Sequence, residues 1–259
     1  EELLEIDRWA LHQSNQVLER CTSAYASYDF HRVYHALNQF CAVTLSAFYL
    51  DILKDRLYTF SPASRERRSA QTALHRILDS LCRLMAPVLC FTAEEVWLHL
   101  ARRREGEALA TSVHLEEFAP PAILPAEPDL LSRWERLGAV REAVLPRLEK
   151  ARAEKRLGNS LEARVRLEAR GELAALLERH RSDLPALFIV SQVELGDVSG
   201  GAGTTEDLPG LRIEILKADG EKCERCWNYR TDRGKDPQFP TLCGRCAPIV
   251  GALLGPPGP

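Results

Sequence analysis

Four cysteines stand in two close pairs: Cys223-Glu224-Arg225-Cys226 and, sixteen residues on, Cys243-Gly244-Arg245-Cys246. Two residues between thiols let both sulfurs of one turn reach a single ion. Two such turns close a tetrahedral shell of the kind that holds Zn2+ at about 2.3 Å per sulfur. Four protein ligands leave no open position, so the expected ion is structural, one per chain, and not catalytic. A pair of redox-active C-x-x-C motifs would need a βαβ pattern near by, which is absent around residue 220. A stretch running from 221 to 247 cannot bury enough apolar surface to offset its own chain entropy, so its folding should depend on the metal.

The residues beside these cysteines suggest a second kind of chemistry. Lys222, Arg225 and Arg245 flank the thiolates, where they either offset the negative charge of the metal centre or reach for phosphate. Trp227, Asn228, Tyr229 and Arg230 follow the first pair directly. That order of aromatic, amide, aromatic and guanidinium suits stacking on unpaired bases with a phosphate contact alongside; the alternative is that Trp227 roofs a small core. Upstream, Lys155 and Arg156 close a long basic helix just before a Gly158-Asn159-Ser160 turn. Lys155, Arg156, Asn159, Ser160, Arg225, Trp227, Asn228 and Arg230 are therefore the candidate RNA contacts. Glu149 and Glu154 offer some of these cations an ordinary ion pair instead. Lys54 and Arg56 at one helix end, and the run Arg102-Arg103-Arg104 at another, fit solvated charges as well as they fit contacts. The seven histidines read as isolated, with no H-x-x-H arrangement, and no residue is assigned a catalytic role.

The elements that must carry these residues are mainly helical. Residues 6–28 hold an approximate helical stripe (Ile6, Trp9, Val17, Cys21, Ala24, Tyr25, Tyr28). Asp29 is placed to cap a second helix whose stripe is Phe30, Val33, Tyr34, Leu37, Phe40, Cys41, Leu45, Phe48 and Ile52. Ser61 and Pro62 look like the start of a third, ended or kinked by Pro87. Thr92-Ala93-Glu94-Glu95 reads as a capping box opening a fourth. Together these predict an antiparallel bundle over residues 1–104. A proline-rich wrapping linker follows to residue 128. A helix over about 130–157, kinked at Pro146, leads into a small α+β module: a strand at 161–169, a short helix at 171–181 and strands at 187–195 and 211–217. Gly200, Gly201 and Gly203 mark a loop within it, and the last residues, 251–259, form a frayed tail.

Composition sets the class. The chain has 259 residues, 45% apolar and 27% charged, as expected of a soluble globular protein. No unbroken apolar run reaches the roughly 18 residues of a membrane span. The start, EELLEIDRWA, has no apolar signal core and no initiator Met, so we expect a cytoplasmic piece of a longer chain. Cys41, Cys82 and Cys90 sit in apolar stripes and read as small buried hydrophobes. A net charge of −3 excludes a uniformly basic nucleic-acid coat, yet residues 141–181 carry eleven Lys/Arg against seven Glu. Arginine outnumbers lysine 28 to 6, which fits a GC-rich genome.

Several stretches then resemble one family. Residues 85–97, MAPVLCFTAEEVW, are similar to the anticodon-binding bundle of class I synthetases for Ile, Val and Leu. Residues 48–58, FYLDILKDRLY, and 154–163, EKRLGNSLEA, resemble isoleucyl-tRNA synthetases. CERCW at 223–227 with CGRC at 243–246 resembles the C-terminal zinc unit of their bacterial form. The resemblance runs in order over about residues 2–250. It implies a mainly α fold: an antiparallel helical bundle of anticodon-binding type (1–128 with its linker), a long helix with a small α+β junction module (129–219), and a C-terminal four-cysteine zinc unit (220–250, then the tail at 251–259). It further implies a cytoplasmic monomer whose partners are the anticodon stem-loop region of tRNA(Ile) and a catalytic domain in cis, with no membrane partner. ATP would be used only by that catalytic domain. The HIGH-type and KMSKS-type signatures and an editing domain are absent from this sequence, so the fragment alone is expected to be inactive. Two other readings stay open: a DNA-repair module of the formamidopyrimidine-glycosylase type, whose zinc units are similar, and a non-enzymatic helical scaffold with a zinc clip.

Overall fold

Helix α1 (Glu5–Ala26) buries Ile6, Trp9, Ala10, Leu11, Val17, Leu18, Cys21 and Ala24, the three-and-four spacing of one apolar face. The computed structural model that shows this describes residues 3–101, 111–124, 127–197, 208 and 210–254. After α1 the chain reverses at Tyr28, a left-handed residue with φ 57°. The Asp29 carboxylate then accepts from the Arg32 amide at 3.4 Å and caps α2 (Phe30–Gln39), as its place before the stripe suggests. The helix continues through a π-helical stretch, Phe40–Leu50, into α3 (Asp51–Thr59). This widening corrects the predicted stripe. The buried residues there are Phe40, Leu45 and Tyr49, five and four apart, while Cys41 and Phe48 are only half-buried.

Helix α4 (Arg65–Met85) is capped by Ser64, which accepts from the Arg67 amide at 3.3 Å; the Ser61-Pro62 start predicted above lies one turn too early. Helix α5 (Cys90–Ala101), by contrast, begins two residues before the expected cap at Thr92. Cys90 faces solvent, contrary to its reading as a buried hydrophobe, and Cys41 is half-buried; Cys82 is buried as expected. The polar centre of the bundle is Asp7, fully buried, which accepts from the Tyr49 hydroxyl at 2.7 Å and from the Ser69 hydroxyl. Where the linker is described, Asn15 holds it to α1 through both the amide and the carbonyl of Ala122, at 2.8 and 3.0 Å. Glu94 holds the linker to α5 by accepting from Ser112 and the Val113 amide, each at 2.9 Å. By length and composition the helix from Phe30 to Thr59, of mean hydropathy 1.3 over its most apolar stretch, could cross a membrane, although no unbroken apolar run signals it. Its Val33, Phe40, Leu45 and Tyr49 are buried and Tyr49 bonds to α1, while 28% of its most apolar stretch as a whole is buried.

The chain divides into two compact units, Glu1–Asp51 with Pro62–Leu131, and Ile52–Ser61 with Ser132–Pro259. Most of α6 (Leu130–Ala153) belongs to the second. It runs on through Pro146, buries Trp134, Leu137, Val140, Val144, Leu148 and Ala151, and ends two residues before left-handed Lys155 (φ 57°). The Arg156 amide reaches back to the Ala151 carbonyl at 3.0 Å and closes that helix end. A three-stranded sheet follows, with β1 (Ala163–Ala169) in the centre. Strand β2 (Gln192–Asp197) pairs with it in parallel and β3 (Leu211–Lys217) pairs antiparallel. Ala163, Val165, Leu167 and Ala169 alternate into the core, as the half-buried pattern predicts.

Between β1 and β2 run α7 (Gly171–Arg179) and α8 (Leu184–Phe188). The predicted strand at 187–195 is thus corrected. Leu187 and Phe188 finish a short helix that has Pro185 in its first turn, Ile189 turns left-handed at φ 56°, and the strand starts only at Gln192. A short apolar run has no period by which to tell buried strand from buried helix. The Arg102–Arg104 run, the glycines at 200, 201 and 203, and tail residues 255–259 lie outside the described residues; residues 251–254, expected to be frayed, are instead helical.

Candidate metal centre and nucleic-acid interface

Two short strands, β4 (Glu221–Lys222) and β5 (Tyr229–Arg230), pair antiparallel and bracket the first cysteine turn. Gly220 opens it at φ 85°; a Cβ there would meet the Arg230 carbonyl oxygen at 2.3 Å, so no other residue fits. The Cys223 amide donates to the Asn228 carbonyl at 2.9 Å, and the Trp227 amide donates to the Cys223 carbonyl at 2.8 Å. The second turn closes with the Cys246 and Ala247 amides on the Cys243 carbonyl, both at 3.0 Å, and leads directly into α9 (Cys246–Leu254), a helix the sequence pattern does not announce.

All four cysteines are buried and their sulfurs lie within 4.8 Å of one another. The Cys226–Cys243 separation is 3.9 Å. Sulfurs bound at about 2.3 Å around a tetrahedral ion stand about 3.8 Å apart, which the Cys226–Cys243 separation matches. The surroundings favour charge on one sulfur, that of Cys226, over its neighbours. A hydrogen bond from the Cys246 thiol, helped by Asn228 and Arg245, pulls Cys226 down to about 4. The same bond, with burial, pushes Cys246 up, and burial pushes Cys243 up. Arg225 Nη1 stands 3.7 Å from the Cys246 sulfur.

The two arginines inside the cysteine turns serve the end of α3. Arg245 grips Asp55 through both carboxylate oxygens, reaches Thr59 Oγ1 at 3.2 Å, and lies 4.6 Å over the Phe60 ring. Arg225 donates to the Thr59 carbonyl. On the same helix Arg56 is buried, not a solvated end charge, while Lys54 is exposed.

Trp227 takes a left-handed backbone (φ 63°). The ring is 60% exposed, so it does not roof the small core. Lys222 Nζ stands 5.2 Å from its centre. Beside it opens a cavity of about 350 Å³ lined by Asn159, Ser160, Leu161, Ile189, Lys222 and Trp227. Two candidate stretches far apart in sequence therefore share one groove. Ser191 locks them together: its hydroxyl donates to the Leu161 carbonyl at 2.5 Å and accepts from the Tyr229 amide at 2.7 Å. Lys222 is marked in the sequence by its place beside the first thiolate, but Ile189 and Ser191 carry no sequence signal for such a role, because their parts depend on contacts across the sheet.

The other candidates are placed as follows. Asn159 caps the turn before β1, accepting from the Leu161 amide at 2.9 Å and donating to Glu162 at 3.0 Å. Asn228 is buried and donates to the Cys226 carbonyl at 3.3 Å. Arg230 is half-buried on β5, with Nε lacking a partner. Arg156 donates to Glu154 at 2.9 Å and to the Ile215 carbonyl at 3.3 Å; both it and Lys155 are exposed.

Residues 7–167 match the family model described as the anticodon-binding domain of tRNA ligase, and residues 220–249 match that of the zinc finger found in FPG and IleRS. With the geometry above, the second match makes the four-cysteine cluster a structural zinc site. The chain is 50% identical over 260 residues to an isoleucine–tRNA ligase of Symbiobacterium thermophilum, covering 98% of this chain and 27% of that protein. It is 48% identical to the isoleucine–tRNA ligase of Syntrophotalea carbinolica and 47% to that of Geobacter sulfurreducens, in each case covering 96% of this chain and 26% of the relative. The chain thus spans about a quarter of the length of these curated relatives.

Proposed function

Because the chain belongs to the anticodon-binding domain family of tRNA ligases, we propose that it is the tRNA-reading C-terminal part of an isoleucine–tRNA ligase, the cytoplasmic enzyme that attaches isoleucine to tRNA(Ile) using ATP. In this proposal the remaining length of such an enzyme supplies the ATP chemistry and editing, and this part acts as a monomer with that catalytic portion in cis.

The observation that carries the reading is the groove at Trp227. An exposed indole, a cation 5.2 Å from its centre and a serine lining the same cavity make a stacking platform with polar walls. An unpaired base of the anticodon loop stacks on Trp227, with Lys222 toward its phosphate and Ser160 at its edge. Lys155, and Arg156 more weakly because it is already paired, attract the backbone beside the groove. Arg230 flanks the platform from β5. Asn159, Asn228 and Arg225 act by shaping the turns that hold the platform. Zinc supplies the rigidity of the first cysteine turn, which fixes the backbone angle that presents the indole.

Titration of an anticodon stem-loop of tRNA(Ile), followed by Trp227 fluorescence, tests this. Losing one base–aromatic stack is worth about 1–3 kcal/mol, so Trp227→Ala should weaken binding by roughly 5–150-fold, with Trp227→Tyr recovering part of it. Unchanged affinity in Trp227→Ala would remove the groove from RNA binding. A DNA-repair reading is not favoured, since the match over residues 7–167 is to tRNA-ligase domains.

A further inference from the structure

The histidines that read as isolated in the sequence include one adjacent pair. His31 and His35 stand one turn apart on α2, with ring centroids 4.2 Å apart and planes at 77°. Both are exposed. Positions i and i+4 of a helix put their Cβ atoms about 5–6 Å apart on one face, the separation at which two imidazole nitrogens converge on one ion. The helix under them is capped by Asp29. No Asp or Glu occurs from Phe30 to Leu50, so no carboxylate on this stretch occupies the ring nitrogens. The neighbouring Arg32 leans toward Asp29 at 4.0 Å. The Tyr34 ring meets His35 edge-on at 5.2 Å and limits its swing.

We propose that His31 and His35 form a second, exchangeable metal site for a borderline divalent ion such as Zn2+, Ni2+ or Cu2+. Imidazole donors select this class over Mg2+ and Ca2+, which want oxygen. The site differs in kind from the cysteine cluster. It supplies two ligands in place of four, faces water in place of the core, and leaves coordination positions open to solvent or an external donor. Zinc therefore fills the four sulfurs first and the histidine pair only as free zinc rises.

Zinc titration of the full 259-residue chain, with bound metal measured at each free concentration, tests this directly. We expect two zinc ions per chain at saturation, in a tight and a weak class. Removing one imidazole should weaken the second class by more than the roughly 10–100-fold that loss of an outer-shell partner costs a metal site. Both His31→Ala and His35→Ala should therefore saturate near one zinc, with the tight class unchanged. Because both side chains face solvent, the variants keep the core intact. As a second readout, the untagged chain should be retained on nickel-charged resin, and the double variant should pass through. A second zinc that binds equally well to either single variant overturns the proposal, as does nickel retention that survives in the double variant or a titration that stops at one zinc.

Discussion

Arg245 holds Asp55 across 190 residues of chain, nitrogen to oxygen at 2.6 and 2.8 Å, with its guanidinium over the Phe60 ring. Burial alone would lower the arginine's proton affinity; the Asp55 carboxylate reverses this and raises it, with the neighbouring thiolates adding to the effect. The second cysteine turn is thereby pinned to the end of α3. Arg245→Lys keeps the charge but loses the two-pronged bond and the ring contact. Each partner keeps about a quarter to a third of its side-chain exposure, so the loss should be about 1–2 kcal/mol. The measurement is urea unfolding of the zinc-loaded chain with the rate of zinc transfer to a chromogenic chelator. Unchanged midpoint and transfer rate would mean the pair is incidental.

Chelation should act locally. The pinning residues place 55–60 in the same compact unit as the cysteines, and α9 grows from Cys246 itself. Removing zinc should therefore expose the amides of 246–254 and of 55–60 to hydrogen exchange and shift Trp227 fluorescence. Helices α1 and α4, whose core is built around Asp7, should keep their protection. Loss of protection in both helices on chelation would show that the metal supports the whole chain.

Thiol labelling should single out one residue. Cys90 is exposed, whereas burial raises Cys21 and Cys41 and, with Asp79 near by, pushes Cys82 up to about 11. The thiolate is the nucleophile, so a raised pKa means little reactive form near neutral pH and more as pH rises toward 11. With zinc bound, a thiol reagent at neutral pH should modify one cysteine quickly, and Cys90→Ser should abolish that phase. Rapid labelling of Cys82 would contradict its burial.

Salt dependence should separate the two cations at the end of α6. Lys155→Ala should flatten the dependence of log K on log salt by about 0.7, the value of one single-strand phosphate contact. Arg156→Ala should change it less, because that guanidinium already bonds Glu154 and the Ile215 carbonyl. Filter binding of the stem-loop over a salt series gives both slopes, and equal slopes in Lys155→Ala and the parent would remove Lys155 from the interface.

The cysteine cluster was legible in the sequence because its chemistry is local: two residues between thiols dictate a turn wherever the turn ends up. The helices of the bundle were legible for the same reason, through spacing along one face. What spacing could not show is where distant segments meet. Nothing around Asp55 marks it as the partner of Arg245, and nothing around Ser191 marks it as the bond between Leu161 and Tyr229. The π-helical stretch replaced Cys41 and Phe48 with Tyr49 in the core, because its period differs from the one used to read it. The His31–His35 pair, four apart, lies outside the three-residue H-x-x-H spacing.

Trp227 is an L-residue in a backbone region where glycine is at ease, at a penalty of about 1–2 kcal/mol. A library randomised at position 227 should therefore separate two selections. Chosen for thermal survival alone, the position should drift to glycine or asparagine. Chosen for capture of the anticodon stem-loop, it should return to aromatic residues if the proposed stacking holds, recording in the survivors that this backbone is kept uncomfortable for the sake of the ring it carries.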